Sequence, residues 1–347
     1  MKKATLLLSV LALFGLSALA QSVNIATLHK TTGVQNFTGT LALRLAYTAS
    51  SNGDTIYLSG GTFNSPDTIN KRLVIIGAGH YPDSTLATGK TIVSGRIVLD
   101  DLADNSYIEG IHFLAHVYFA NNKSVNNFTI KRCRIDGDIR YFGGIGTNTC
   151  NNNIIIECVI SQGGNLDFNN ARSLTVSKCL FFNYTNTLNN VKMVTFTNNI
   201  FFNTNGTYFI YSADNSLFKN NIFKVMASHP VIACTGTYFA NNVWLGKAVT
   251  DYGVGNTAAN NYSNVTYDNF FENQTGNDFS YSHNYRLKTP ASFPGDDGTQ
   301  VGIYGTTAPY KDGAVPSNPH IRSKSIAVST NLNGNLEVQV KVAAQQQ

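Results

Sequence analysis

VTFTNNIFFN (Val194 to Asn203), LFKNNIFKV (Leu217 to Val225) and YFANNVWL (Tyr238 to Leu245) are three statements of one phrase. Each sets an aromatic residue, a short polar corner ending in Asn-Asn, and a second apolar run whose middle member is again aromatic. Aligning the chain on the second Asn gives a column of Ile111, Cys133, Cys158, Cys179, Asn199, Asn221, Asn242 and then Asp268. The successive spacings are 22, 25, 21, 20, 22, 21 and 26 residues. A period this short, sustained this long, predicts a solenoid in which each turn of chain buries its apolar face against the next.

The flanking positions agree. Three residues before the column stand Ile108, Ile130, Ile155, Val176, Phe196, Phe218, Phe239 and Val265, and two after it Phe113, Ile135, Ile160, Phe181, Phe201, Phe223, Trp244 and Phe270. Every coil therefore reads strand, corner, strand. A further short strand follows at Val117 to Phe119, Ile139 to Phe142, Leu166 to Phe168, Phe209 to Tyr211 and Val231 to Ala233. Helical periodicity is absent here, which excludes leucine-rich and helix-pair solenoids. The fold class expected is all-β, a single-stranded parallel β-helix.

Equivalent residues then stack about 4.8 Å apart, so nine or ten coils make a rod about 45 Å long. Asn199, Asn221 and Asn242 are expected to form an amide ladder that satisfies buried corner backbone, and Phe181, Phe201, Phe223, Trp244 and Phe270 an aromatic stack. Cys133, Cys158 and Cys179 occupy the same ladder position and read as buried reduced thiols acting as small hydrophobes. Cys150 and Cys234 have no evident partner.

Composition fits this picture. The 347 residues are 43% hydrophobic and only 13% charged, with 29 Gly and abundant Asn, about half the usual charged share. Residues 1–20 read as a cleaved secretory signal: Lys2-Lys3, an apolar run from Leu6 to Leu19, and small residues up to Ala20. Its removal lowers the formal charge from +5 to +3, too weak and scattered for a nucleic-acid surface. The run is too short for a membrane span.

GDTIYLSGGTF (Gly53 to Phe63), TINKRLVIIGAGH (Thr68 to His80) and the F-x-N-N-I-F coils resemble the right-handed parallel β-helix of the pectin-lyase-like superfamily. The resemblance spans about residues 40–290. It implies a capping helix before the first coil, which LALRLAYTAS (Leu41 to Ser50) supplies through Leu41, Leu43, Leu45 and Ala46. DGTQVGIYG (Asp297 to Gly305) is similar to a segment that closes many exported bacterial β-helix proteins. The division expected is signal 1–20, cap 21–52, β-helix 53–287 and tail 288–347. Five of the eight prolines fall in that tail, and SKSIAVST and NLEVQVKV flank Asn331 to Gly334 as a hairpin that would cover the open end of the helix.

Superfamily enzymes that cut acidic polysaccharides use an Arg or Lys base beside carboxylate-held calcium, or grouped aspartates. Acids repeating at coil spacing are nearly absent here, and so are the hydrolase-type motifs and G-x-S-x-G. The best cluster is IKRCRIDGDIRYF (Ile130 to Phe142) with its next-coil neighbours: Asp136, Asp138 and Asp167 as calcium ligands, Arg140 or Lys131 as base. Its competing reading is a charge ladder on an exposed face, Arg140 to Asp167 and Arg132 to Glu157. No cofactor is expected, calcium entering only under the lyase reading. His112 and His116 need not share a face in such a coil, Gly143 to Gly146 is a loop without a phosphate-binding context, and the sequons at Asn183 and Asn205 follow from Asn and Thr abundance.

Binding is the stronger expectation. Tyr118, Tyr141, Tyr208, Tyr211 and Tyr238 are candidates to stack on sugar rings, with an extracellular polysaccharide or cell-surface glycan as partner. Val159, Leu180, Ile200, Ile222 and Val243 form an outward apolar stripe that the tail or a loop is expected to cover. Otherwise the stripe would make a self-associating rod.

Overall fold

The computed structural model describes residues 24–142, 148–161, 166–184, 187–204 and 206–343. The signal 1–20, the Gly143 to Gly146 loop, Thr185 and Asn205 lie outside them. The chain winds through about nine turns of a parallel β-solenoid. Three sheets of twelve, ten and eight strands, called A, B and C here, form its walls. In sheet A, Ile108, Ile130, Ile155, Val176, Phe196, Phe218 and Phe239 follow one another in register. Sheet B carries Phe113, Ile135, Ile160, Phe181, Phe201, Phe223 and Trp244 in the same way. All of these point inward and are buried.

Between sheets A and B the chain turns through one left-handed residue and then the ladder position. Gly110, Arg132, Glu157, Lys178, Asn198, Asn220, Asn241 and Asn260 all have positive φ. Asn tolerates that region better than other side chains do, which is one reason the chain is rich in it. Behind it, Asn199 Nδ2 donates to Val176 O at 2.9 Å and to Asn221 Oδ1 at 3.0 Å, and Asn221 and Asn242 repeat the pattern. The last rung is Asn261, whose Oδ1 accepts from Asn242 Nδ2. Asp268 is therefore not the eighth member: the final coil is short, and Ala258 rather than Val265 stands in register with Phe239. Cys133, Cys158 and Cys179 occupy the ladder as buried free thiols, each Sγ 3.3 Å from a carbonyl two residues earlier.

The parallel coils end at Val265 rather than near residue 287. Beyond them Phe271–Asn273 and Asn284–Leu287 pair antiparallel outside sheet B. Phe270 leaves the internal stack, which holds Phe181, Phe201, Phe223 and Trp244 at centroid separations of 4.4, 5.2 and 4.4 Å. It joins Phe271, Tyr285, Leu287, Val301, Ile303 and Tyr310 over the outward stripe of Val159, Leu180, Ile200, Ile222 and Val243. Burial of each stripe residue contributes roughly 1.5–3 kcal/mol, which is why the stripe is covered.

The chain then runs back along the A/B corner, and the left-handed residues hold it. Asn241 donates to Pro294 O, Asn220 to Asp296, Asn198 to Gly302 O, Lys178 to Ala308 O and Arg132 to Val315 O. Glu109 accepts from Ser317 N and Oγ. The Arg132–Glu157 pair is consequently buried, not exposed: Arg132 bridges Glu157 and Glu109, all three side chains being at most 7% accessible.

At the start, Ile25–Lys30 and Gly33–Thr38 extend sheet A antiparallel, and helix α1 (Ala42–Ala49) follows. Ala42, Leu43 and Ala46 of α1 are buried, whereas Leu41 and Leu45 are exposed and do not cap the core. The terminal hairpin forms between His320–Ile326 and Val338–Ala343. It does not cover the far end of the solenoid. The returning strap delivers it beside the first coils, near Tyr57 and Ile76. Among the described residues no helix is long and apolar enough to cross a membrane.

Candidate functional site

In Val117–Phe119 the outer two residues are buried and Tyr118 faces out. Parallel pairing carries that outward position along sheet C through Tyr118, Arg140, Asp167, Asn189, Tyr211 and Ile232. The same alternation turns Tyr141 inward. It is fully buried and stacked on Phe119 at 3.7 Å, so it cannot meet a ligand. Tyr208 lies beside this lane, 5.6 Å from Tyr211 and 5.9 Å from His229 between ring centroids. Tyr208 and Tyr211 are 36% and 37% accessible, enough to leave ring surface open to a ligand. Tyr238 is as exposed but belongs to sheet A, on another wall.

At the first end of the lane Tyr118 is framed by cations. Arg96 and Arg140 each place the guanidinium carbon 5.8 Å from its ring centroid, and His116 stacks on it at 5.1 Å. Burial, with Asp138 nearby, pushes the Tyr118 hydroxyl pKa up, so it remains a donor and reaches Asp138 at 3.4 Å. Asp138 is also engaged by Arg140 at 2.5 Å and by His116 at 3.5 Å. Arg140 and Asp167 are register neighbours, as their spacing suggests, but the ion pair of Arg140 is made with Asp138. Asp167 instead accepts from the Asn169 backbone.

Of the five residues of the lyase reading, Asp138, Arg140 and Asp167 are neighbours at sheet C, while Lys131 and Asp136 lie apart from them. Lys131 is on sheet A, Asp136 faces out from the end of a sheet B strand, and Arg140 and Asp167 are on sheet C. Among the described residues no three His, Cys, Asp or Glu side chains are grouped to hold a metal ion.

Asp136 belongs to a cluster that the sequence pattern did not disclose. His112 Nε2 lies 2.7 Å from Asp136 Oδ2, Arg134 Nε donates to Oδ1 at 2.8 Å, and Ser161 Oγ donates to the same oxygen. Burial opposes ionisation of this carboxyl, but the hydrogen bonds from His112, Ser161 and Arg134 outweigh it and hold its pKa well below the usual range. Over the cluster sit His80 and Tyr81 from the 77–90 loop and Phe279 and Tyr281 from the outer segment, with Tyr81 OH 3.1 Å from Tyr310 OH. Burial depresses the His80 pKa, and the neighbouring His112, Arg134 and Lys90 depress it further. With every Asp136 oxygen engaged, the arrangement latches the outer segment onto the solenoid. Its only trace in the sequence was the 22-residue step from His112 to Arg134, since Tyr281 arrives from more than a hundred residues away.

No family model, no curated protein and no solved structure matches the chain.

Proposed function

We propose that the protein is an exported, non-catalytic β-helix that binds a glycan chain laid along sheet C, parallel to the solenoid axis. The observation that carries this reading is the register column Tyr118, Arg140, Asp167, Asn189, Tyr211. It sets an aromatic ring at each end and three hydrogen-bonding groups between them, over four inter-strand steps, about 19 Å. Aromatic rings offer apolar faces to the C–H side of a sugar while amide, carboxylate and guanidinium groups meet its hydroxyls. A flat repeating lane suits a repeating polymer, as a closed cavity suits a small molecule. Export rests on the leader-like residues 1–20 and the resemblance of the coils to secreted β-helix proteins.

Affinity electrophoresis of the mature chain through gels containing a panel of neutral and acidic polysaccharides tests the reading. Retardation by at least one polymer, weakened about tenfold by Tyr211→Ala and by Tyr118→Ala, is expected. Unchanged mobility in every gel would end it. A rise in ultraviolet absorbance from unsaturated sugar ends, abolished by Arg140→Ala, would replace binding with lyase chemistry at the same lane.

A further inference from the structure

The terminal hairpin stands in an odd position. A two-stranded ribbon is marginal in water unless something packs on one face. Its pairing sets Ile321 opposite Val342, Lys324 opposite Val340 and Ile326 opposite Val338, so one face is apolar with a single lysine in it. Only the base of that face meets the solenoid. Ile321 at the base is 36% accessible, whereas Val342, Val340, Val338 and Ile326 are 60%, 49%, 55% and 56% accessible, so most of the face lacks packing. Between the base and the first coils is a cavity of about 370 Å³. Its floor is Tyr57, Leu58 and Ile76 of sheet A with Ala78 and Ala87, and its roof Ile321, Val342 and Lys324.

That volume lies within the range of small-molecule sites, and the lining is mainly apolar with a few polar groups. The polar lining comprises Ser59, Thr88, Asn318, His320 and Lys324, and the buried Asn318 Oδ1 has no partner and would accept from a protonated head group. Lys324 brings a cation, and His320 lines the cavity with no hydrogen-bond partner on either ring nitrogen. Unpartnered buried nitrogens are costly, and a ligand oxygen would relieve one of them. Among the described residues no carboxylate side chain lines the cavity to neutralise Lys324. At roughly 30 Å³ per water-sized group, the space takes about twelve non-hydrogen atoms.

We propose that this cleft binds an amphipathic carboxylate, a medium-chain fatty acid, with its chain between Ile76 and Val342 and its head at Lys324 and His320. Binding would supply the missing packing and fix the hairpin against sheet A. The site is on a different wall from the glycan lane and does not depend on it.

The test titrates the full mature protein with decanoate, read by displacement of the anionic dye 1-anilinonaphthalene-8-sulfonate and by hydrogen exchange of residues 320–343. Saturable binding of one decanoate is expected, with slowed exchange in the hairpin and decanol bound about tenfold more weakly. Lys324→Glu, at an exposed position, should remove the preference for decanoate, and Ile76→Trp should fill the cleft and remove both ligands. Absence of saturable binding overturns the proposal. So does equal binding of decanoate and decanol, or binding indifferent to Lys324→Glu and Ile76→Trp with hairpin exchange unchanged.

Discussion

At the level of single residues, two positions in each coil carry most of the architecture: the left-handed corner residue and the ladder residue behind it. The Asn221 side chain makes four hydrogen bonds to three neighbours, accepting from Asn199 N and Asn199 Nδ2 and donating to Phe196 O and Asn242 Oδ1. Asn221→Leu adds apolar surface yet strands Asn199 N and Phe196 O without water. A loss of about 3 kcal/mol in urea unfolding is predicted, from two buried groups at roughly 1–3 kcal/mol each. Arg132→Met should cost about 3–5 kcal/mol by the same measurement, because Glu109 and Glu157 remain buried without their shared cation. The Asn rungs were legible because their spacing varies little and their neighbours are aromatic. The role of Arg132 was not, since its other partners, Val315 and Ser317, arrive about 180 residues later.

At the level of elements, regular coils were readable and irregular ones were not. The phrase F-x-N-N-I-F survives three turns, then Ala258 and Ser263 replace its bulky members and a false copy at Val265, Asp268 and Phe270 takes its place. Val265 ends the last parallel strand, and Asp268 and Phe270 lead into the outer segment, whose aromatic content matches the core because it too is buried, against Leu180, Ile200 and Ile222. Covering of the stripe followed from its width. The path of the strap did not, as each of its clips rests on a single side chain of the solenoid meeting a residue distant in sequence, most often a backbone carbonyl. Truncation after Val265 should leave the stripe bare. Such a chain is predicted to bind a hydrophobic dye and sediment as aggregates, whereas truncation after Asn318 should leave it monomeric and unfolding almost as the full chain does. Equal behaviour of the two truncations would show that the outer segment does not shield sheet B.

At the level of the whole molecule, the latch over Asp136 makes stability respond to acid. His80 is buried and its folded pKa lies below its unfolded value of about 6.5, so the neutral ring is the one that fits. Its contribution is complete above that value and falls with decreasing pH, by up to about 1.4 kcal/mol per pH unit, until the folded pKa is reached. Asp136 acts lower: its depressed folded pKa gives stability present above about 4, lost as pH falls further. Melting temperature should therefore drop between pH 6.5 and 5, and His80→Gln should flatten that slope, a comparison that calorimetry checks directly. Function was less legible than fold. The sequence offered five tyrosines of equal standing, and only the three-sheet geometry separates buried Tyr141 and sheet A Tyr238 from the three that flank one lane. The measurement that bears most directly on that lane is the affinity of a size series of oligosaccharides cut from a retained polymer. If the lane is the site, affinity rises with chain length until the ligand spans the roughly 19 Å from Tyr118 to Tyr211 and then levels off, and Tyr211→Ala shortens that rise. A monosaccharide bound as tightly as the longest oligomer, or a length dependence untouched by Tyr211→Ala, would contradict it.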